Sequence, residues 1–214
     1  MALLLSQRSQ RQLLPGPMGN IETLYATPES SKPYIAIICH PHPLHGGTMT
    51  NKVVTTLAKT LDTFGAITLR FNYRGVGASE GSYDQAIGEY DDLIAMRDWL
   101  QQQHPDNQLI LAGFSFGSFL VAKAAQVCQP ATLITVAPAI KRQAYGTYPD
   151  YPGPWCLIQG EQDELTEASA VYDWAQQHPH PPSVIRIPDA SHFFHGKLSD
   201  IETHLGAYLA HTLR

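Results

Sequence analysis

The sequence predicts an α/β fold, a mostly parallel sheet covered by helices on both faces, and three observations point to it. Short β-rich apolar runs alternate with longer stretches whose apolar residues recur at helical spacing, as when crossover helices join parallel strands. Residues 109–112 are apolar at every position, which suits a strand buried on both faces. The chain has 214 residues, 43% of them hydrophobic and only 15% charged, enough apolar material for one large core. One domain over residues 1–214 is therefore expected, and global disorder is excluded.

Residues 1–12 have no clear period and read as either a loose arm or a dimer contact. Residues 12–27 carry Pro15-Gly16-Pro17 and Gly19-Asn20, turn chemistry that predicts an antiparallel hairpin on the sheet edge. Tyr34 to Cys39 is the first central strand. Val53, Val54, Leu57, Ala58, Leu61 and Phe64 then follow a helical period that Gly65 stops. Residues 66–71 form the next strand, and Ala86, Tyr90, Leu93, Met96 and Leu100 share one face of a long helix that ends before Pro105. The strand at 109–112 leads into residues 116–127, apolar nearly all round like a central buried helix. Residues 133–136, 155–158 and 184–187 are further strands. Helices are expected over about 167–177 and from about Asp200 onward.

Charge narrows the function classes. Lys and Arg number 14 against 19 Asp and Glu, a net charge of −5, with no basic run. Neither nucleic acid nor anionic membrane is therefore an expected partner. The three cysteines, Cys39, Cys128 and Cys156, are an odd number, and two lie in apolar strands, which fits reduced thiols in a cytoplasmic protein. The apolar run at residues 2–5 is too short for a signal-peptide core or a membrane span.

Chemistry concentrates in three loops, each following a strand. Gly113-Phe114-Ser115-Phe116-Gly117 is a G-x-S-x-G string between an apolar strand and a buried helix. With 12 serines, chance supplies roughly 0.07 copies, so the strand-to-helix position carries the argument more than the string does. A sharp turn there strains the serine and thrusts its hydroxyl out of the sheet, with room only for small residues two places either side. A serine hydroxyl needs a histidine base and an acid to orient that base. His192 follows the strand at 184–187 and Asp163 follows the strand at 155–158, and these are the chosen partners of Ser115. His195 is an alternative base, and Asp189, Glu161 and Glu164 are alternative acids. Loops at the carboxyl ends of parallel strands converge on one sheet edge, which is why these residues belong together. The remaining histidines need no chemical role: His178 and His180 read as surface loop residues, and His104, His204 and His211 as helix-surface groups.

His40-Pro41-His42-Pro43-Leu44-His45-Gly46-Gly47 follows the strand at 34–39. Three histidines in six residues raise metal binding, but the prolines hold the backbone extended and no carboxylate completes a ligand set, so no metal is expected. The preferred reading is an oxyanion loop. Phe116, the residue after the serine, gives one backbone N–H; Pro41 and Pro43 have none, so the second comes from His42, Leu44 or a neighbour, with His42 favoured. The segment from Arg74 to Gly81 fails the dinucleotide spacing because Glu80 stands where a small residue is required, and it reads as a structural loop.

The order Ser115, Asp163, His192, with the serine on an elbow, resembles the α/β-hydrolase superfamily. The H-P-H-P-L-x-G-G loop, the R-G-V-G-x-S-x-G segment, G-F-S-F-G and the terminal H-F-F-H-G together resemble small bacterial hydrolases without lids, related in outline to dienelactone hydrolases. The resemblance implies a mainly parallel eight-stranded sheet with an antiparallel second strand, and a triad at those three positions. Dienelactone hydrolases use a cysteine nucleophile where this chain has Ser115. Larger relatives insert a helical cap after the sixth strand; here residues 137–154 are too few to build one. Tyr145, Tyr148 and Tyr151 in that insert form either an aromatic rim beside the site or packing against the surface. The expectation is a carboxylesterase-like serine hydrolase, monomer or homodimer, acting on small acyl esters or thioesters and requiring no cofactor. A peptidase or perhydrolase with the same triad, or a non-catalytic binding module, is the alternative.

Overall fold

Successive side chains of a strand point to opposite faces, so a strand apolar throughout must be covered twice. In the computed structural model, which describes residues 9–140 and 147–213, six strands lie between Tyr34 and Ile187, the first five buried along nearly their whole length and the last half-exposed at the sheet edge. They are β3 (Tyr34–Cys39), β4 (Ile67–Phe71), β5 (Gln108–Phe114), β6 (Thr132–Val136), β7 (Trp155–Gly160) and β8 (Ser183–Ile187). On one face Ile35, Ile37, Leu69, Leu111, Leu133 and Trp155 share a core with helices α2 (Gly88–Gln103) and α3 (Phe116–Cys128). On the other face Ala36, Ile38, Ile110, Ala112, Ile134 and Ile158 pack against α1 (Lys52–Phe64) and α5 (Leu198–Thr212). Helix α4 (Ala168–Gln177) covers Leu157 near the β8 edge. Each fully buried Leu or Ile stabilises the fold by about 1.5–3 kcal/mol, and this double layer supplies many.

The sheet runs β1-β2-β4-β3-β5-β6-β7-β8, with β1 (Ser9–Gly16) and β2 (Gly19–Ala26) as the hairpin. Strand β2 is antiparallel to both β1 and β4, and every other pairing is parallel. This is the α/β-hydrolase arrangement that the resemblance implies. Chain progression reverses between β3 and β5: from β3 the chain crosses to β4 on one side, then returns to β5 on the other. Ligands collect outside the carboxyl ends of strands at such a switch point, and the loops after β3 and β5 meet there.

Three expectations need correction. Residues 9–12 are not part of an arm: Ser9 pairs with Ala26 and Gln12 with Thr23, so they belong to the sheet, and 1–8 lie outside the described residues. Edge pairing uses main-chain groups, so polar Ser-Gln-Arg-Gln can enter a strand without apolar alternation. The long helix starts at Gly88 because Gln85 and Ala86 have φ of 52° and 69°, which no right-handed helix contains. His178 is a buried residue, its ring edge-on to Trp155 and Trp174. Of the three tyrosines between β6 and β7, Tyr148 packs against Phe119 and Trp174 and Tyr151 bonds the Pro130 carbonyl, so both serve packing. Tyr145 lies outside the described residues. No described helix is long and apolar enough to cross a membrane.

The segment from Arg74 to Gly81 is structural, as its sequence suggests. Buried Arg74 bonds both carboxylate oxygens of Asp92, and Ser79 bridges the Asn72 carbonyl and the Glu22 N–H. These bonds satisfy a buried charge and fix the chain beside the switch point.

Candidate active site

Strand β5 ends at Phe114 and helix α3 begins at Phe116, leaving one residue for the turn. Ser115 makes it with φ 54° and ψ −111°, outside the regions open to an L-residue without strain. Its N–H is fixed on the Val136 carbonyl at 2.8 Å. The flanking glycines are required by contact: a Cβ on Gly113 would overlap the Gly117 carbonyl, and one on Gly117 would lie 2.5 Å from the Cys39 carbonyl oxygen. The elbow can therefore close only with small residues, which is the physical content of the G-x-S-x-G string.

His192 comes from the loop after β8 and Asp163 from the loop after β7. Ser115 Oγ lies 3.1 Å from His192 Nε2, and His192 Nδ1 lies 2.8 Å from Asp163 Oδ2. With Asp163 ionised, Nδ1 carries the proton and donates it, leaving Nε2 to accept from the serine hydroxyl. His192 is only 3% exposed, with Phe114 and Phe193 against its ring. Asp163 Oδ1 accepts the N–H groups of Leu165 at 2.9 Å and Thr166 at 2.8 Å, and Gln159 Nε2 donates to Oδ2 at 2.9 Å. Burial pushes the Asp163 carboxyl up, but His192, Thr166 and Gln159 together hold it below its ordinary value.

The alternatives take other places. His195 is exposed, its ring 6.1 Å from that of Phe193. Asp189 is mostly exposed and bonds Gln162. Glu161 lines the cleft beside Asp163, and Glu164 accepts the main-chain N–H of His192. Gln159 was not legible in the sequence; its one signal is an amide within an otherwise apolar strand.

The loop after β3 folds into a short 3-10 turn at Pro43–His45. Leu44 N–H donates to His42 Nδ1 at 3.2 Å, while His45 and Gly47 N–H both go to the His42 carbonyl at 3.1 Å. Those three donors are turned into the loop. His42 and Phe116 both line the cleft beside Ser115, their rings 5.0 Å apart. His40 is fully buried: Tyr73 N–H donates to its Nε2, so its Nδ1–H donates to the Pro41 carbonyl. Burial holds that imidazole neutral, its pKa lowered to about 3. Among the described residues no group of three or more His, Cys, Asp or Glu side chains is placed to hold a metal ion.

Two clefts meet at Ser115 and His192. One, of about 160 Å³, is lined by Pro41, His42, His45, Phe116, Leu165 and Phe193, among others. The other, of about 570 Å³, is bordered by Glu161, Asp163, Glu164 and Glu167. Leu165 and Ala139 border both.

Residues 42–160 match the family model described as serine aminopeptidase, S33 (Hydrolase_4). The match includes Ser115 and ends before Asp163 and His192. An α-β serine hydrolase homologue from Coxiella burnetii is 43% identical with a TM-score of 0.90, over 94% of this chain and 97% of that one. An α/β serine hydrolase without lid from Xanthomonas campestris is 40% identical, also with a TM-score of 0.90, over 95% of this chain and 94% of that one. An uncharacterized protein of Rickettsia prowazekii is 35% identical over 204 residues, 91% of this chain and 86% of its own. The elbow, the sheet order and these matches agree: the chain belongs to the serine aminopeptidase S33 (Hydrolase_4) family and has the α/β-hydrolase fold.

Proposed function

We propose that the protein is a serine esterase that cleaves short acyl esters or thioesters through an acyl-enzyme. The observation that carries this reading is the continuous path from Ser115 Oγ to His192 Nε2 at 3.1 Å and from His192 Nδ1 to Asp163 at 2.8 Å. Ser115 attacks the substrate carbonyl while His192 takes its proton, and Asp163 stabilises the resulting imidazolium. The oxyanion is met by the N–H groups of Phe116 and His42; losing one such donor costs about 100- to 1,000-fold in turnover. His192 then returns the proton to the leaving group, and water, activated by the same base, releases the acyl group.

The small cleft supports a short acyl group. It contains no Asp, Glu, Lys or Arg, and its volume equals about five groups of water size. The acidic cleft supports a second reading, a peptidase, because Glu161 and Glu164 would favour a protonated amino group on the substrate. One experiment addresses both. A fluorophosphonate should label the wild type and not Ser115→Ala, and turnover of p-nitrophenyl acetate should exceed that of aminoacyl p-nitroanilides. Wild-type protein that resists the label would sink the serine mechanism, and faster anilide cleavage would select the peptidase.

A further inference from the structure

The loops carrying the acid and the base are stitched together along their length. Glu161 N–H donates to the Ile187 carbonyl at 3.0 Å, and Gln162 N–H to the Ala190 carbonyl at 2.9 Å. Beyond these, the His192 N–H donates to Glu164 Oε2 at 3.0 Å. Asp163 holds the ring of His192 and the next residue in the chain holds its backbone. We propose that Glu164 is a positioning residue for His192, so that Asp163 and Glu164 form a two-point clamp on one histidine.

The need for a second point follows from geometry. One hydrogen bond at Nδ1 leaves the ring free to swing about that bond whenever the Cα moves, and Nε2 lies on the far side of the ring from it. A small drift of the backbone therefore lengthens the 3.1 Å approach to Ser115. The backbone also has reason to drift: Asp189 and Phe194 flank His192 with φ of 56° and 53°, strained values for residues with side chains. Glu164 anchors the stretch between them. The clamp rests on the reading of His192 as the base, and its test separates the two ideas.

The test compares wild type, Glu164→Gln and Glu164→Ala for p-nitrophenyl acetate turnover and fluorophosphonate labelling across about pH 5 to 9. The amide oxygen of Gln accepts the same N–H without the charge; Ala offers neither. Glu164→Ala should lower kcat by about 10- to 100-fold with KM little changed, since misplacement by about 1 Å can cost about 100-fold. Glu164→Gln should recover most of that loss. The other charged or titratable groups lining the clefts around His192 are Asp163, Glu161 and Glu167 on one side and His42 and His45 on the other. They are unchanged in both variants, so a difference between Glu164→Gln and Glu164→Ala reads the lost acceptor for the His192 N–H.

Equal kcat in Ala and wild type would overturn the clamp. So would equal losses in Gln and Ala, because charge alone would then explain the effect, or a loss matched by a smaller folded fraction in thermal unfolding. A readout without turnover keeps the clamp testable if the esterase reading fails. The low-field proton signal of His192 Nδ1–H, identified by its absence in His192→Gln, should be sharp in wild type and Glu164→Gln and broadened in Glu164→Ala. An equally sharp signal in Glu164→Ala would count against the clamp whatever the enzyme acts on.

Discussion

Gln159 Nε2 and His192 Nδ1 converge on the same oxygen of Asp163, at 2.9 and 2.8 Å. A carboxylate oxygen has lone pairs for both, and the two donors fix where Oδ2 sits beyond the carboxyl end of β7. Gln159 is fully buried, yet its own Oε1 has no hydrogen-bond partner, a cost the fold bears for placing the amide there.

Gln159→Leu should therefore impair turnover while leaving stability near wild type. The variant removes an unsatisfied acceptor together with a useful donor, and these oppose each other at about 1–3 and 0.5–1.5 kcal/mol. Asp163 loses one of the hydrogen bonds that hold its carboxyl low, so its pKa rises and the acid limb of activity moves to higher pH. A kcat about tenfold lower, an acid limb displaced upward and a small change in urea midpoint are the expected results. An unchanged pH profile would show that His192 and the two N–H donors suffice.

The backbone strain at Ser115 gives a second expectation. Positions with φ near 54° and ψ near −111° cost about 1–3 kcal/mol for a residue with a Cβ, and glycine avoids most of that while paying about 0.5–1 kcal/mol in chain entropy. Ser115→Gly should be more stable than Ser115→Ala by about 1 kcal/mol, and both should be inactive. Chemical denaturation of the pair measures the difference directly. Equal stability would mean that the Val136 bond and the fixed ends of β5 and α3, not the side chain, set the cost of the elbow.

Acid sensitivity should trace to His40. Its folded pKa is lowered to about 3, against about 6.5 in an unfolded chain. Between those values the unfolded state binds a proton that the folded state refuses, so stability is complete above about pH 6.5 and falls as pH drops toward 3. One such group gives a slope of about 1.4 kcal/mol per pH unit within that window. His40→Asn should lower stability at neutral pH by about 2–3 kcal/mol, because the bond from Tyr73 N–H is lost at a buried site. It should also flatten the slope, as read from urea unfolding at several pH values between about 4 and 7.5. Parallel curves for the two proteins would place the acid sensitivity elsewhere.

The fold was legible where side chains decide it. Strand Tyr34–Cys39 and the end of the first helix at Gly65 follow from an apolar run buried on both faces and from a left-handed cap, φ 107°. The site was legible in outline because topology does the gathering: three strand ends at one sheet edge bring residues 115, 163 and 192 within hydrogen-bond reach. What escaped depends on main-chain bonds or on distant packing. Polar residues 9–12 join an edge by backbone pairing, and His178 is buried by two tryptophans 23 and 4 residues away in sequence. Glu164 looked like a competing acid because residue type does not reveal which donor a carboxylate meets.

Leu165 and Ala139 stand where the two clefts divide. Leu165 borders both, is 61% exposed, and contributes its N–H to Asp163, a bond that survives any change of side chain except proline. In the wild type, each added methylene that enters the small cleft gains about 0.8 kcal/mol, or about fourfold in kcat/KM. That gain should stop near five carbons, when a cleft of about 160 Å³ is full. Leu165→Ala removes the partition and opens the small cleft toward the larger one. The p-nitrophenyl ester series should then continue rising past the wild-type optimum, while acetate turnover falls little because Ser115, His192 and Asp163 keep their bonds. The same cutoff in both proteins would mean that the acyl chain leaves Ser115 by another route, away from Leu165.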